Sequence, residues 1–139
     1  MYRATVLEVV DGDTVGLRID LGFSVHVGEE GDPVVFRLDG VNCPESSGPD
    51  ASPEGEAAKA FTGNLLPVGA EVLVRTRKVK STKGPIRDRK EKFGRYLAQV
   101  LVPPRRGLST RPKDGDTLLD LAQALLVAGY AKVYTGGKR

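Results

Sequence analysis

Val34-Val35-Phe36-Arg37-Leu38-Asp39-Gly40-Val41-Asn42-Cys43-Pro44-Glu45 is the stretch around which the 139-residue chain is organised. An apolar strand carries Arg37 into a turn that holds a carboxylate, a carboxamide and a second carboxylate, interrupted by proline. Such a turn suits a hard cation, and a guanidinium at one end with a carboxylate at the other suggests phosphate chemistry. Upstream, Asp11-Gly12-Asp13-Thr14 falls at a strand-strand turn. Downstream, Phe93-Gly94-Arg95-Tyr96-Leu97 opens another strand. The three pieces in this order say more than any one of them.

Working outward, Tyr2 to Val10 reads as a strand because Thr5, Val6, Val9 and Val10 are β-branched, and Asp11-Gly12 supplies hairpin chemistry. Thr14 to Ile19 alternates, with Val15, Leu17 and Ile19 on one face, so Asp13 stands where the second strand begins. Asp20 to Gly28 extends this ribbon around a glycine bend, and Glu29 to Pro33 is a polar turn before the third strand, Val34 to Leu38. Ser52-Pro53-Glu54 starts a helix with a capping hydroxyl, a residue fixed near helical φ and an early carboxylate. Ala57, Ala60, Phe61 and Leu65 form its expected apolar face. Val72 to Val79 alternates apolar with basic residues, Arg95 to Val102 is a further strand, and Asp116 or Thr117 caps a second helix, Leu118 to Ala128, closed by Gly129. Leu118, Leu121, Ala122 and Leu125 line that helix. Five strands and two helices without regular βαβ alternation predict an α+β, mainly β, strongly bent antiparallel barrel with a helix across its end.

A chain of this length with 40% hydrophobic residues can bury a modest core unaided. Its single cysteine, Cys43, forms no intramolecular disulfide and suits a reducing compartment. The start has no charged segment followed by an apolar run, and no apolar stretch is long enough to span a bilayer, so the expectation is a soluble, cytoplasmic protein without a membrane partner. Charge is unevenly spread. Ten basic residues between Arg75 and Arg95 face only Asp88 and Glu91, a balance of +8, which leaves −5 for the rest of a chain whose net charge is +3. That segment is either built to meet a polyanion or is a solvated charged face. With one histidine, His26, and one cysteine, a zinc module is excluded, and no Walker-type glycine loop points to nucleotide hydrolysis.

Phosphodiester hydrolysis needs a water, a base for its proton, and positive charge to meet the developing charge on phosphorus oxygens. Glu45 is a candidate base. Arg37 and Arg95 each offer a planar fork of donors to phosphate, and Asp13, Asn42 and a backbone carbonyl at Cys43 offer all-oxygen ligation for Ca²⁺ or another hard cation. Each has a plainer alternative: Asp13 as a turn residue bonded to its own backbone, Glu45 as a surface carboxylate, the arginines paired to nearby acids, Cys43 as a small turn filler, His26 as a surface residue.

The combination resembles the staphylococcal nuclease (thermonuclease-like) family. Val10-Asp11-Gly12-Asp13-Thr14, Arg37 with Asn42-Cys43-Pro44-Glu45, Phe93-Gly94-Arg95, and Gly129-Tyr130-Ala131-Lys132-Val133 correspond in order to that family's motifs, from about Tyr2 to Tyr134. The resemblance implies a Ca²⁺-dependent nuclease on a five-stranded OB-type barrel that cleaves DNA, RNA or both and leaves the phosphate on the 3′ side. It implies metal ligation by Asp13, Asn42 and the Cys43 carbonyl, water activation by Glu45 and phosphate clamping by Arg37 and Arg95. Nucleic-acid contacts fall to Lys92 and Phe93, to Arg87, Arg89 and Lys90 of the basic segment, and to Tyr134. Residues 1–135 form the nuclease domain, and 136–139 a short basic tail.

The departures carry expectations too. Asn42 replaces the family's aspartate and removes a ligand charge, which lowers affinity for Ca²⁺. Cys43 replaces threonine. Phe93 lacks the family tyrosine's hydroxyl but keeps a ring for stacking. The chain stops where the family usually continues into a third helix, so two helices are expected, with a partner chain or a second copy over the uncovered face. The rival reading is a nuclease-like barrel with a weakened metal site that only binds nucleic acid or protein.

Overall fold

The structure is a computed structural model and describes residues 1–78, 96–106 and 111–134. Nine strands and two helices occur among these residues. In chain order they are β1 (Tyr2–Asp11), β2 (Thr14–Asp20), β3 (His26–Val27), β4 (Val34–Leu38), β5 (Val41–Asn42), α1 (Pro53–Leu65), β6 (Glu71–Lys78), β7 (Tyr96–Val102), β8 (Leu119–Asp120), α2 (Leu121–Ala128) and β9 (Lys132–Val133).

Five strands close a barrel. β1 pairs antiparallel with both β2 and β6, β2 with β4, and β6 with β7. The ring is completed by one parallel pairing, β4 with β7, in which Phe36, Arg37 and Leu38 sit opposite Tyr96, Leu97 and Ala98. A sheet this small closes only if its strands bend. The β1–β2 register shifts between Val6 and Glu8 and again between Val9 and Asp11, and these irregularities let β1 serve two neighbours. Alternation places Val6, Val15, Leu17, Phe36, Leu38, Val72, Val74, Ala98 and Val100 inside, all buried. Each fully buried Val or Leu contributes roughly 1.5–3 kcal/mol relative to exposure. The result is an OB-type barrel with two helices and mainly β content.

The helix α1 starts as expected: the Ser52 hydroxyl accepts from the Gly55 N–H at 3.1 Å, with Pro53 in the first turn. Its buried face differs from the one anticipated. Gly55, Ala58 and Thr62 are buried with Phe61 and Leu65 partly so, whereas Ala57 and Ala60 are exposed. The small residues win because the helix lies against backbone rather than side chains. A Cβ on Gly55 would stand 1.8 Å from the Glu45 carbonyl oxygen.

The second helix also starts later than its sequence suggests. Asp116 is occupied in a turn, accepting from the Lys113 N–H at 2.8 Å and from Arg106. These contacts, the Lys113 bond foremost, hold its carboxyl below the usual range. Residues 119–120 instead pair with the end of β7. Asp120 is the cap, its carboxylate accepting from the Ala122 N–H at 3.0 Å and from the Gln99 amide at 3.0 Å. Leu121 and Leu125 are buried, Leu118 precedes the helix, and Gly129 ends it at φ 84°. Beyond it, β9 pairs with β5 as a separate two-stranded ribbon. No helix among the described residues is long and apolar enough to cross a membrane.

Gly55→Ala should destabilise the chain by about 1–3 kcal/mol through overpacking, although alanine is the better helix former. Gly63→Ala in the same helix, where an added Cβ meets nothing within 4 Å, should stabilise by about 0.5–1 kcal/mol. Denaturant unfolding of both variants measures the contrast, and equal effects would remove the close approach at Gly55.

Candidate active site

The first hairpin turn holds the loop that follows β5 at two points. Asp13 is only 4% exposed. Its Oδ2 accepts from the Cys43 N–H at 3.0 Å, its Oδ1 from the Thr14 hydroxyl at 3.0 Å, and its backbone carbonyl from the Leu38 N–H at 2.9 Å. Asp11 reaches the other end of the same loop, where its Oδ1 accepts from the Ser46 N–H at 3.0 Å and from the Ser46 hydroxyl. Pro44 and Glu45 therefore lie between two anchored residues. Charged acceptors on backbone N–H groups are the stronger kind of hydrogen bond.

The helix α1 fixes the same loop from behind. The Ser52 N–H donates to the Glu45 carbonyl at 3.1 Å, and Gly55 packs on that carbonyl without room for a side chain. The Thr62 hydroxyl donates to the Gly12 carbonyl at 2.7 Å, and a Cβ on Gly12 would meet that of Ala58 at 2.7 Å. Thus Asp11, Gly12 and Asp13 each tie the hairpin to a different piece of the loop-helix unit. The backbone of Glu45 is held while its side chain is exposed.

The strand β4 carries Arg37, half-buried, with Thr14 of β2 and Leu97 of β7 as its register partners. Asp13, Thr14, Arg37 and Cys43 thereby belong to one end of the barrel. Asn42 is half-buried on β5, directly opposite Lys132 of β9. A groove of about 550 Å³ runs beside this ribbon, lined in part by Asn42, Cys43, Pro44, Tyr130 and Lys132. Cys43 is buried in the core. Tyr134 is half-buried, and its N–H donates to the Gly40 carbonyl at 2.8 Å. Arg87, Arg89, Lys90, Lys92, Phe93 and Arg95 lie outside the described residues; β7 begins at Tyr96, the register partner of Phe36.

Two contributors to the site, Asp11 and Ser46, lie outside the candidate catalytic, metal and binding residues. Asp11 acts beyond hairpin chemistry, and Ser46 carries no sequence signal for its role, because its bonds to Asp11 and Val10 span 35 and 36 residues. The bond of Asp13 to Cys43 spans 30 residues, so its carboxylate reaches well beyond its own turn. His26 is exposed on the β2–β3 ribbon.

A small barrel with one parallel closure, a helix across one end and an Asp-rich turn holding a carboxylate loop is a nuclease-like scaffold. The chain belongs to the staphylococcal nuclease homologue family, whose model matches residues 35–139. The match includes Arg37, Asn42, Cys43, Glu45 and Arg95, while the Asp11–Asp13 turn precedes it. No curated protein matches the chain.

Ser46→Ala removes one of the two bonds to Asp11 and should cost about 0.5–1.5 kcal/mol. Asp11→Ala removes the acceptor of both and should cost about 1–3 kcal/mol. An Asp11→Ala chain that unfolds at the wild-type denaturant midpoint would show that the loop does not depend on this carboxylate.

Proposed function

We propose that the chain is a metal-assisted nuclease that hydrolyses phosphodiester bonds of DNA, RNA or both, with Glu45 as the general base. The observation that carries this reading is the fixed backbone and exposed carboxylate of Glu45, held by Asp11, Asp13, Ser52 and Gly55. A base acts well when its carrier is rigid and its carboxylate is open to solvent and substrate. Glu45 takes the proton of the attacking water. Arg37, and Arg95 with it, present guanidinium donors to the phosphate oxygens as negative charge builds there.

The donor set beside Glu45 fits a hard cation, since the Asp13 carboxylate, the Asn42 amide oxygen and the Cys43 carbonyl are all oxygen donors. Among the described residues no cluster of three or more His, Cys, Asp or Glu side chains could hold a metal ion, so a cation here would depend on the amide and carbonyl oxygens as well as on Asp13. A bound Ca²⁺ would supply Lewis-acid polarisation of the phosphate. Asn42 brings no charge and has Lys132 opposite it in register, so Asp13 is the one formal anion of the three donors. Weak affinity and a high requirement for the cation follow.

That same neutral Asn42 beside a lysine favours a second reading, a barrel of this family that binds nucleic acid without cutting it. Cleavage of single-stranded DNA and of RNA by the purified chain, in Ca²⁺, in Mg²⁺ and in chelator, separates the two. Glu45→Gln should lower cleavage by at least about 10²-fold while leaving binding intact. Wild type and variant equally silent in every metal, with both retaining the strand, would replace the nuclease by the binding module.

The basic segment from Arg75 to Lys92 guides the strand through phosphate contacts that carry little base information. Arg87, Arg89 and Lys90 replaced together by alanine should flatten the salt dependence of binding by up to about 3 in the log-log slope. An unchanged slope would make this segment a solvated face.

A further inference from the structure

Strand alternation sets three arginines on the outside of the barrel. Ala4 and Val6 of β1, Leu17 and Ile19 of β2, and Val72 and Val74 of β6 are buried, so Arg3, Arg18 and Arg75 belong to the other face. Arg3 and Arg75 are exposed and Arg18 is half-buried. Arg18 lies opposite Thr5, and Arg3 is two residues from Thr5 on the same face. Arg3 in turn lies opposite Leu73, and Arg75 is two residues from Leu73. The three arginines therefore follow one diagonal, a strand across and two residues along at each step, their carrier positions about 7–8 Å apart.

The diagonal leads toward the candidate site. Arg75 lies opposite Gln99 of β7, and two residues from Gln99 on that face is Leu97, the register partner of Arg37. Arg37, Arg75, Arg3 and Arg18 thus mark one path across β4, β7, β6, β1 and β2, roughly 25–30 Å long at the level of the backbone. Such a path holds on the order of four to six nucleotides, within the range that one OB barrel covers.

The carboxylates in register with this row have partners of their own. Asp20, opposite Arg3, accepts from the Gly22 N–H at 2.8 Å, and Glu71, opposite Thr5, accepts from Arg111 at 3.4 Å. Among the described residues none of Arg3, Arg18 and Arg75 forms an ion pair. Cations aligned across adjacent strands without intramolecular partners suit a linear polyanion.

The far end of the row is a cavity of about 230 Å³ lined by Thr5, Arg18, Asp20, Ser24, Val25 and His26. The Arg18 Nε donates to the Gly28 carbonyl at 3.3 Å, which orients the guanidinium and leaves its two terminal nitrogens for a ligand. The Thr5 and Ser24 hydroxyls and the His26 ring add polar groups around them. Ser24 holds φ 63°, a conformation that costs a residue other than glycine roughly 1–3 kcal/mol. A guanidinium fork flanked by hydroxyls matches the oxygens of a phosphate. Asp20, the one carboxylate on the wall, opposes an anion there.

We propose that Arg75, Arg3 and Arg18 form a backbone track that carries single-stranded nucleic acid around the outside of the barrel, with the Arg18 cavity as a phosphate seat at its end. The track rests on the nucleic-acid reading above and extends it to strands longer than the candidate site. Its start beside Arg37 favours nucleic acid over an acidic polypeptide.

Fluorescence anisotropy with labelled oligothymidylates from dinucleotide to dodecanucleotide, in chelator to prevent cleavage, tests it. Wild-type affinity should rise at least several-fold with length. Arg3→Gln with Arg18→Gln should lower the log-log salt slope for the long strand by about 1.4 and remove most of the gain with length. Arg3→Gln with Arg75→Gln, which leaves the Arg18–Gly28 bond in place, should lower the slope by a similar amount. Asp20→Asn keeps an acceptor for the Gly22 N–H while removing the charge, and should tighten long-strand binding several-fold. Affinity independent of length, an unchanged slope in both double variants, weaker binding by Asp20→Asn, or polyglutamate displacing the strand as well as unlabelled DNA does would each overturn the track while leaving the candidate site untouched. A wild type that binds no strand of any length would instead remove the nucleic-acid reading, and the track with it.

Discussion

Two carboxylates on one four-residue turn hold the rest of the arrangement in register. The loop from Cys43 to Ser52 has almost no regular structure, so its backbone donors need partners from elsewhere. Asp13 takes the Cys43 N–H and Asp11 takes the Ser46 N–H. Between these points the chain cannot drift. Because Asp13 is buried, its charge-assisted bond to the Cys43 N–H is stronger than the same bond would be in water, which makes this contact costly to break.

From that anchor the geometry propagates in two directions. Through the loop it reaches α1, whose inward-facing Gly55 and Ala58 are small because they lie directly on the Glu45 carbonyl and the Gly12 turn. Through the barrel it reaches β4, where the Leu38 N–H bonds the Asp13 carbonyl and the register sets Arg37 beside Thr14. A carboxylate on a clamped loop and an arginine on a central strand are then carried by one rigid body. Such placement suits chemistry better than a site on unanchored loops. The β5–β9 ribbon adds a third element, bringing Lys132 opposite Asn42. The residue that faces Asn42 thus comes from 90 positions away in the chain.

The two ends of β2 answer different demands. At Thr14 the strand begins beside a largely buried turn whose Asp11, Gly12 and Asp13 each bond the loop or the helix behind it. At Asp20 it leaves the barrel as a ribbon whose apolar residues Leu21, Phe23, Val25 and Val27 are exposed. A two-stranded ribbon on its own is marginal in water, and here its tip adds backbone strain rather than relieving it.

Local chemistry settles what depends on neighbouring residues, and the sequence by itself determined those parts: the strands from β-branched alternation, the hairpin at Asp11-Gly12, the Ser52-Pro53 helix start, the Gly129 stop, and the family from four ordered motifs. The buried face of α1 and the start of α2 were not legible. The first is decided by backbone approaching from residues 12 and 45, and the second by β7 offering a strand partner to residues 119–120 while Lys113 and Arg106 engage Asp116. Tertiary structure alone decided that Asp11 and Asp13 clamp one loop, that barrel closure uses a parallel pair, that Lys132 faces Asn42 and that Phe23 stands in solvent. Each of these joins or separates residues far apart in the chain, and hydrophobic period and capping chemistry carry information over only a few residues.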